Sequence, residues 1–193
     1  MDVEILRENH SINKESIFYV IGGHSGDISD RIINKFDCFT DIFEPSEYWF
    51  NFLVDKYKNN PKVRVFNFGF ANEEKECKLY HHGDKEGYQG DGSNIYVESD
   101  KFEVIKLKKA SDWIKDNNIE SVNLIEFNCE GAEFEIIKDL FDNNLLNKIN
   151  TIQVQFHKIN NHEQLLSETR ERLMNTHNQS WNIPNIFECW DLK

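Results

Sequence analysis

Ile17-Phe18-Tyr19-Val20-Ile21-Gly22-Gly23-His24-Ser25-Gly26 is the stretch that decides the fold. Five consecutive β-branched or aromatic residues predict a strand buried on both faces. Gly22-Gly23 stops it. In the following Asp27-Ile28-Ser29-Asp30-Arg31-Ile32-Ile33-Asn34-Lys35-Phe36, the residues Ile28, Ile32 and Phe36 recur at helical spacing. Strand, glycine turn and helix form one unit.

Working outward, the unit repeats. Cys38 to Phe43 reads as a second strand ending at Glu44-Pro45. A helix follows to about Lys58, with Trp49, Phe52, Leu53 and Tyr57 on its apolar face, and Asn59-Asn60-Pro61 breaks it. Val63 to Phe68 is a third strand that Gly69 ends. Residues 74–80 and 103–108 read as shorter strands, and Ser111 as the cap of a short helix to Asn117. Val122 to Phe127 is a buried strand, followed by a helix to about Asp142 with Phe134, Ile137 and Phe141 aligned. Ile149 to Phe156 is the next strand, His162 to Met174 a helix, and residues 186–192 a last strand. Strands alternating with helices predict one α/β domain over 1–193, with residues 1–15 as an N-terminal extension.

The 22 basic and 34 acidic residues give a net charge of -12. That balance disfavours nucleic acid and anionic membranes as partners, because both need clustered Lys and Arg. The four cysteines, Cys38, Cys77, Cys129 and Cys189, form no CxxC pair, and three sit in apolar runs. They read as free thiols, with no metal site. Met1-Asp2-Val3-Glu4 lacks the basic start and apolar stretch of a signal peptide, and no run is long enough for a membrane-spanning helix. These features predict a cytoplasmic protein.

In open α/β sheets, ligands bind beyond the carboxyl ends of the strands, near the point where strand order reverses. Gly22, Gly23, His24, Ser25 and Gly26 stand at one such end, where bare backbone and a helix N-terminus can approach a ligand. The spacing is GGxxG, not GxGxxG. Glu44, at the second strand end, can accept hydrogen bonds from two ribose hydroxyls. Together they predict an adenosine-containing cofactor, in either a nicotinamide-dependent oxidoreductase or a methyltransferase. Asn128, Glu130 and Glu133 crowd around Gly131 at another strand end. Glu130 there suits a general base, whereas Glu133 suits the first turn of a helix. His157 ends the fifth long strand and suits proton acceptance. The loop from His81 to Asn94 holds four of the nine glycines and is expected to contact the acceptor through His81, His82, Tyr88, Ser93 and Asn94.

In order along the chain, the motifs resemble the FkbM family of S-adenosylmethionine-dependent methyltransferases. Tyr19 to Asp27 is similar to the family's glycine turn, and Ile42-Phe43-Glu44-Pro45-Ser46 to its FEP segment. Asn67-Phe68-Gly69-Phe70 sits where the family has a segment beside the adenine. Ile125 to Glu133 resembles its EGAE segment, Val154-Gln155-Phe156-His157 its fifth strand end, and Trp181 to Leu192 its closing antiparallel strands. The resemblance implies a Rossmann-like, mostly parallel seven-stranded sheet with an antiparallel last strand and helices on both faces. It implies S-adenosyl-L-methionine as cofactor, and methylation of an oxygen on a sugar, a glycan or another small metabolite. Gly69, Phe70 and Asn128 join the expected cofactor contacts. The chain departs from the family at Val20, Asn128 and Gln155, where the family carries carboxylates. Proton acceptance then falls to Glu130 and His157. A cofactor-binding module without activity is the alternative that these neutral positions raise.

Overall fold

The computed structural model describes residues 3–82 and 93–193. The elements are α1 (Val3–Arg7), β1 (Ile17–Ile21), α2 (Asp27–Phe36), β2 (Phe39–Phe43), α3 (Glu47–Tyr57), β3 (Val63–Phe66), β4 (Gly69–Ala71) and β5 (Lys75–Tyr80). They continue with β6 (Phe102–Lys109), α4 (Ala110–Asp116), β7 (Val122–Phe127), α5 (Glu133–Asp142), β8 (Ile149–Val154), α6 (His162–Thr176), β9 (His177–Ile183) and β10 (Phe187–Leu192).

Seven strands form one sheet in the order β3-β2-β1-β7-β8-β10-β9. The first five are parallel, β10 runs antiparallel to β8, and β9 antiparallel to β10. This is the Rossmann-like sheet with an antiparallel strand near one end that the resemblance implies. The order reverses between β1 and β7, so the crevice for a ligand opens there.

The apolar run of β1 is buried on both faces for a visible reason. Phe18 and Val20 pack with Ile28, Ile32 and Leu53 under α2 and α3. Tyr19 and Ile21 pack with Ile114, Ile136, Ile137 and Leu140 under α4 and α5. Alternate side chains point to opposite faces, so helices on both sides require apolar residues at every position.

Residues 3–15 are more than an extension. Glu126 and its registered neighbour Gln153 are buried polar groups on one face of the sheet. Arg7 reaches Glu126 at 2.5 Å, His10 bonds Gln153 at 3.1 Å, and Gln153 donates to Glu126. The N-terminal segment therefore covers this polar pair and supplies the cation and hydrogen bond that its burial requires.

The third strand is shorter than the sequence predicts. It ends at Phe66, where Asn67 donates from Nδ2 to the carbonyls of Glu44 and Pro45 at 3.2 Å each. Gly69 does not end a strand; it opens β4, in a separate three-stranded sheet of order β4-β6-β5. That sheet has its own apolar cluster of Ala71, Leu79, Ile105 and Leu107. Lys109, not Ser111, is the cap of α4; Ser111 bonds the buried Asp139 through backbone and hydroxyl. Phe52 is 44% exposed, so only Leu53 and Tyr57 of the expected α3 face are buried. The strand β9 begins directly at the end of α6, which a pattern of mixed polar residues did not disclose.

Candidate active site

The loops after β1 and β7 meet at the reversal point. Gly22 has φ +91°, and a Cβ there would lie 2.1 Å from the carbonyl oxygen of Asn128. No side chain fits, and the backbones touch because the position is bare. Gly23 faces away from the crevice: a Cβ would strike Ile42 and Leu53 at 2.3 and 2.9 Å. Gly26, ahead of α2, takes the hydroxyl of Tyr57 on its carbonyl, and the carbonyl of Ser25 takes Lys56. Gly23, Ser25 and Gly26 thus shape the turn, while Gly22 and His24 line the crevice.

The crevice is a cavity of about 260 Å³. One side carries Ile21, Gly22, His24, Glu44, Pro45, Ser46 and Trp49. The β7 side carries Asn128, Cys129, Glu130 and Ala132. The small sheet closes it with Gly69, Phe70, Leu79, Ile105 and Leu107, next to Ser93, Asn94 and Ile95. Of the residues expected at the cofactor and the acceptor, Gly22, His24, Glu44, Gly69, Phe70, Asn128, Glu130, Ser93 and Asn94 line this one cavity. Cys129, Ser46 and Trp49 also line it and are not among the expected cofactor or acceptor contacts.

Glu44 is buried, with both oxygens already engaged. Oε2 accepts from the backbone N–H of His24 at 2.7 Å, and Oε1 from that of Ser46 at 2.9 Å. Burial pushes its pKa up to about 7, while those N–H bonds pull the other way. Each oxygen keeps a lone pair, since a carboxylate accepts about four bonds. The imidazole of His24 packs against Trp49 with ring centroids 4.0 Å apart and the planes tilted by 40°.

At the β7 mouth, Glu133 is fully buried as the first residue of α5. It accepts from the N–H of Gly131 at 2.9 Å and of His157 at 2.6 Å, and lies 3.2 Å from His157 Nδ1. The helix-start reading of Glu133 is therefore incomplete: the same carboxylate orients His157. His157 Nε2 lies 3.5 Å from Glu130 Oε1. Burial lowers the His157 pKa, but the hydrogen bond and charge of Glu133, with Glu130 behind them, together raise it above the ordinary 6.5. Glu130 faces the cavity and His157 stands behind it, outside the lining.

His24 (φ 44°) and Glu130 (φ 55°) are left-handed, and every other left-handed non-glycine residue among those described is Asn or Asp. Asn and Asp adopt that conformation readily; His and Glu are held there by their surroundings. Both strained positions flank the same crevice.

His81 and His82 stand off the cavity. His81 Nδ1 is 2.8 Å from Ser93 Oγ, and His82 Nε2 is 2.9 Å from the carbonyl of Val97. Tyr88 lies outside the described residues.

A family model described as "Methyltransferase FkbM domain" matches residues 21–180. The chain belongs to this family. Membership decides for a methyltransferase over a nicotinamide-dependent enzyme. No curated protein sequence matches the chain. Solved structures share its fold at low identity. A Streptococcus mutans protein provisionally described as a methyltransferase, solved with SAH, has a TM-score of 0.60 and 10% identity, covering 100% of this chain and 98% of its own. Methanococcus jannaschii fibrillarin, a pre-rRNA processing protein, has a TM-score of 0.57 and 11% identity over 95% of this chain and 69% of its own. A Geobacter metallireducens precorrin-6y C5,15-methyltransferase has a TM-score of 0.52 and 11% identity over 99% and 86%. The cofactor of this FkbM methyltransferase is S-adenosylmethionine. The crevice fits an adenosyl group: a bare Gly22, a buried carboxylate with lone pairs to spare, and apolar walls from Phe70, Ile105 and Leu107.

Proposed function

We infer that this FkbM methyltransferase methylates an oxygen, on a hydroxyl of a sugar, a glycan or another small metabolite. The observation that carries the reading is the Glu130–His157–Glu133 array beside the cavity. S-adenosylmethionine supplies a methyl already activated on a sulfonium. The protein's part is to hold an oxygen in line and take up its proton.

Glu44 receives the ribose hydroxyls, with Gly22 and Asn128 forming the floor. Glu130 faces the acceptor and attracts its proton. His157 acts through Glu130: its Nδ1–H points to Glu133, which leaves Nε2 toward Glu130. Asn128, in the lining, is neutral and cannot take a proton, so it binds and orients only; Gln155, equally neutral, lies outside the lining. Ser93 and Asn94, in the lining of the same cavity, contact the acceptor.

The charge of -12 favours a small acceptor over RNA, although some proteins of like fold are described as rRNA methylases. All four cysteines are free thiols, which suits a reducing compartment such as the cytoplasm. Among the described residues no helix is long and apolar enough to cross a membrane.

The test has two stages. Calorimetric titration with S-adenosylhomocysteine should show binding to the folded chain. Methyl-labelled S-adenosylmethionine should then label hydroxylated acceptors in a panel of sugars, glycans and phenols. Label entering RNA or protein nitrogen, and none of the hydroxyl panel, refutes the acceptor assignment.

A further inference from the structure

Beside the part of the cavity lined by Ser93 lies a second polar chain that the mechanism above does not use. Ser93 lines the cavity, and its Oγ is 2.8 Å from His81 Nδ1. His81 is buried, and its Nε2 is 3.1 Å from Glu103 Oε1, at ion-pair distance but off the ideal hydrogen-bond line. The other carboxylate oxygen, Oε2 of Glu103, accepts from the backbone N–H of Glu47, the first residue of α3, at 2.9 Å.

Each member is fixed independently. His81 donates its N–H to the carbonyl of Lys101 at 2.9 Å, and its own carbonyl accepts from Ser99 Oγ at 2.9 Å. Ser93 is held by the next residue, because Asn94 and Tyr80 exchange backbone bonds at 2.8 and 3.0 Å. Three elements, β5, β6 and α3, thus converge on one hydroxyl at the cavity.

The order of groups sets the proton positions. A carboxylate beside Nε2 favours the proton on Nε2, and Nδ1 then accepts from the serine hydroxyl. Burial lowers the His81 pKa against the pull of Glu103, which keeps the ring neutral and able to accept. With its proton committed to His81, Ser93 Oγ offers the cavity lone pairs only.

We propose that Ser93, His81 and Glu103 form a polarising relay that makes Ser93 Oγ a hydrogen-bond acceptor and selects acceptor molecules with a second donor besides the oxygen that is methylated. This rests on the small hydroxylated acceptor proposed above. Sugars and other polyols carry such a donor; a lone alcohol does not. Ser93 is a specificity-determining residue, and His81 and Glu103 are positioning residues.

Two measurements test it, and neither needs the cofactor. Long-range proton–nitrogen NMR on histidine-labelled protein should find His81 neutral, with its proton on Nε2. A proton on Nδ1 overturns the relay. Phenylmethylsulfonyl fluoride should modify Ser93. In that reaction Oγ forms a bond to sulfur, the S–F bond breaks, fluoride leaves, and the serine proton passes to His81 Nδ1. Mass spectrometry should place the adduct on Ser93 and find it lost in His81→Gln. An unmodified Ser93 in the wild type, or equal modification in folded His81→Gln, shows a serine that is merely structural. Failure to bind S-adenosylhomocysteine would sink the methyltransferase mechanism and with it the acceptor selection, whereas a wrong tautomer or an unmodified Ser93 would overturn the relay and leave cofactor binding intact.

Discussion

If Glu44 holds the ribose as proposed, cofactor binding should depend on pH. Its carboxyl has a pKa of about 7 in the open cavity because burial disfavours the charge. Two ribose hydroxyls donating to it favour the ionised form, since a neutral carboxyl keeps a proton where one of them must sit. The observed association constant then scales with the ionised fraction. That fraction is about 0.9 one pH unit above the pKa and about 0.1 one unit below it. Affinity for S-adenosylhomocysteine should therefore drop about tenfold across that window, or roughly 1.4 kcal/mol. At the pKa itself, binding should release about half a proton. Isothermal titration in buffers of different ionisation enthalpy measures both quantities. Glu44→Gln should flatten the profile and weaken binding by about one to two powers of ten, because bonds to a charged acceptor are lost. The amide can accept from only one of the His24 and Ser46 N–H groups and turns its NH₂ on the other. An affinity that stays flat or rises as pH falls refutes the assignment of Glu44 to the cofactor.

Further outcomes follow from the same geometry. Gly22→Ala should abolish cofactor binding and cost at least about 2 kcal/mol in urea unfolding, since its Cβ would lie 2.1 Å from Asn128 O at a positive φ. His157→Gln should keep S-adenosylhomocysteine affinity but slow transfer by about 10²- to 10⁴-fold. Wild-type transfer should rise with pH through a value above 6.5, because the imidazolium must lose its proton. The stability that His157 adds has the opposite sign: it is fully present below 6.5 and is lost as pH rises through the raised folded pKa, so thermal melts of His157→Gln should differ most from wild type at acid pH. Arg7→Met should cost about 3–5 kcal/mol by leaving Glu126 buried without its cation, and Arg7→Met with Glu126→Gln should regain part of that in chemical denaturation.

The sheet was legible because its signals are local. β1 needs apolar residues on both faces, and Ile17 to Ile21 supplies them without a gap. The cavity lining was legible for a related reason: strand ends converge at the point of reversal, so Gly22, Glu44 and Asn128 line one cavity although they are far apart in sequence. What failed was anything requiring knowledge of a change of sheet. Val63 to Phe68 reads as one strand that Gly69 ends, and only the Asn67 bonds to the carbonyls of Glu44 and Pro45 and the pairing of Gly69 to Ala71 in the small sheet show that the chain leaves the first sheet at Phe66. Glu103 was invisible because it sits among charged residues of a half-exposed strand, with nothing in Phe102 to Lys109 to indicate that His81 lies against it. The role of Glu133 is hidden for the opposite reason. A carboxylate in the first turn of a helix has a sufficient local explanation, which hid its bond to His157.

The two left-handed residues tie the site to the fold. Left-handed backbone costs a residue such as His or Glu about 1–2 kcal/mol, so something must hold it. His24 is held by its N–H on Glu44 and its ring on Trp49; Glu130 stands between Asn128, which bonds Ile21, and Gly131, which bonds Glu133. In each loop the restraining carboxylate is the one given a role in the chemistry, Glu44 for the cofactor and Glu133 for His157. A cofactor that draws on Glu44 therefore loads the same bond that keeps His24 in place. Binding at one wall should then alter backbone order at Gly22 to Gly26, and amide hydrogen exchange there should slow in Glu44 protein saturated with S-adenosylhomocysteine but not in Glu44→Gln. Equal slowing in both would mean that the strained turn is held by the glycines alone.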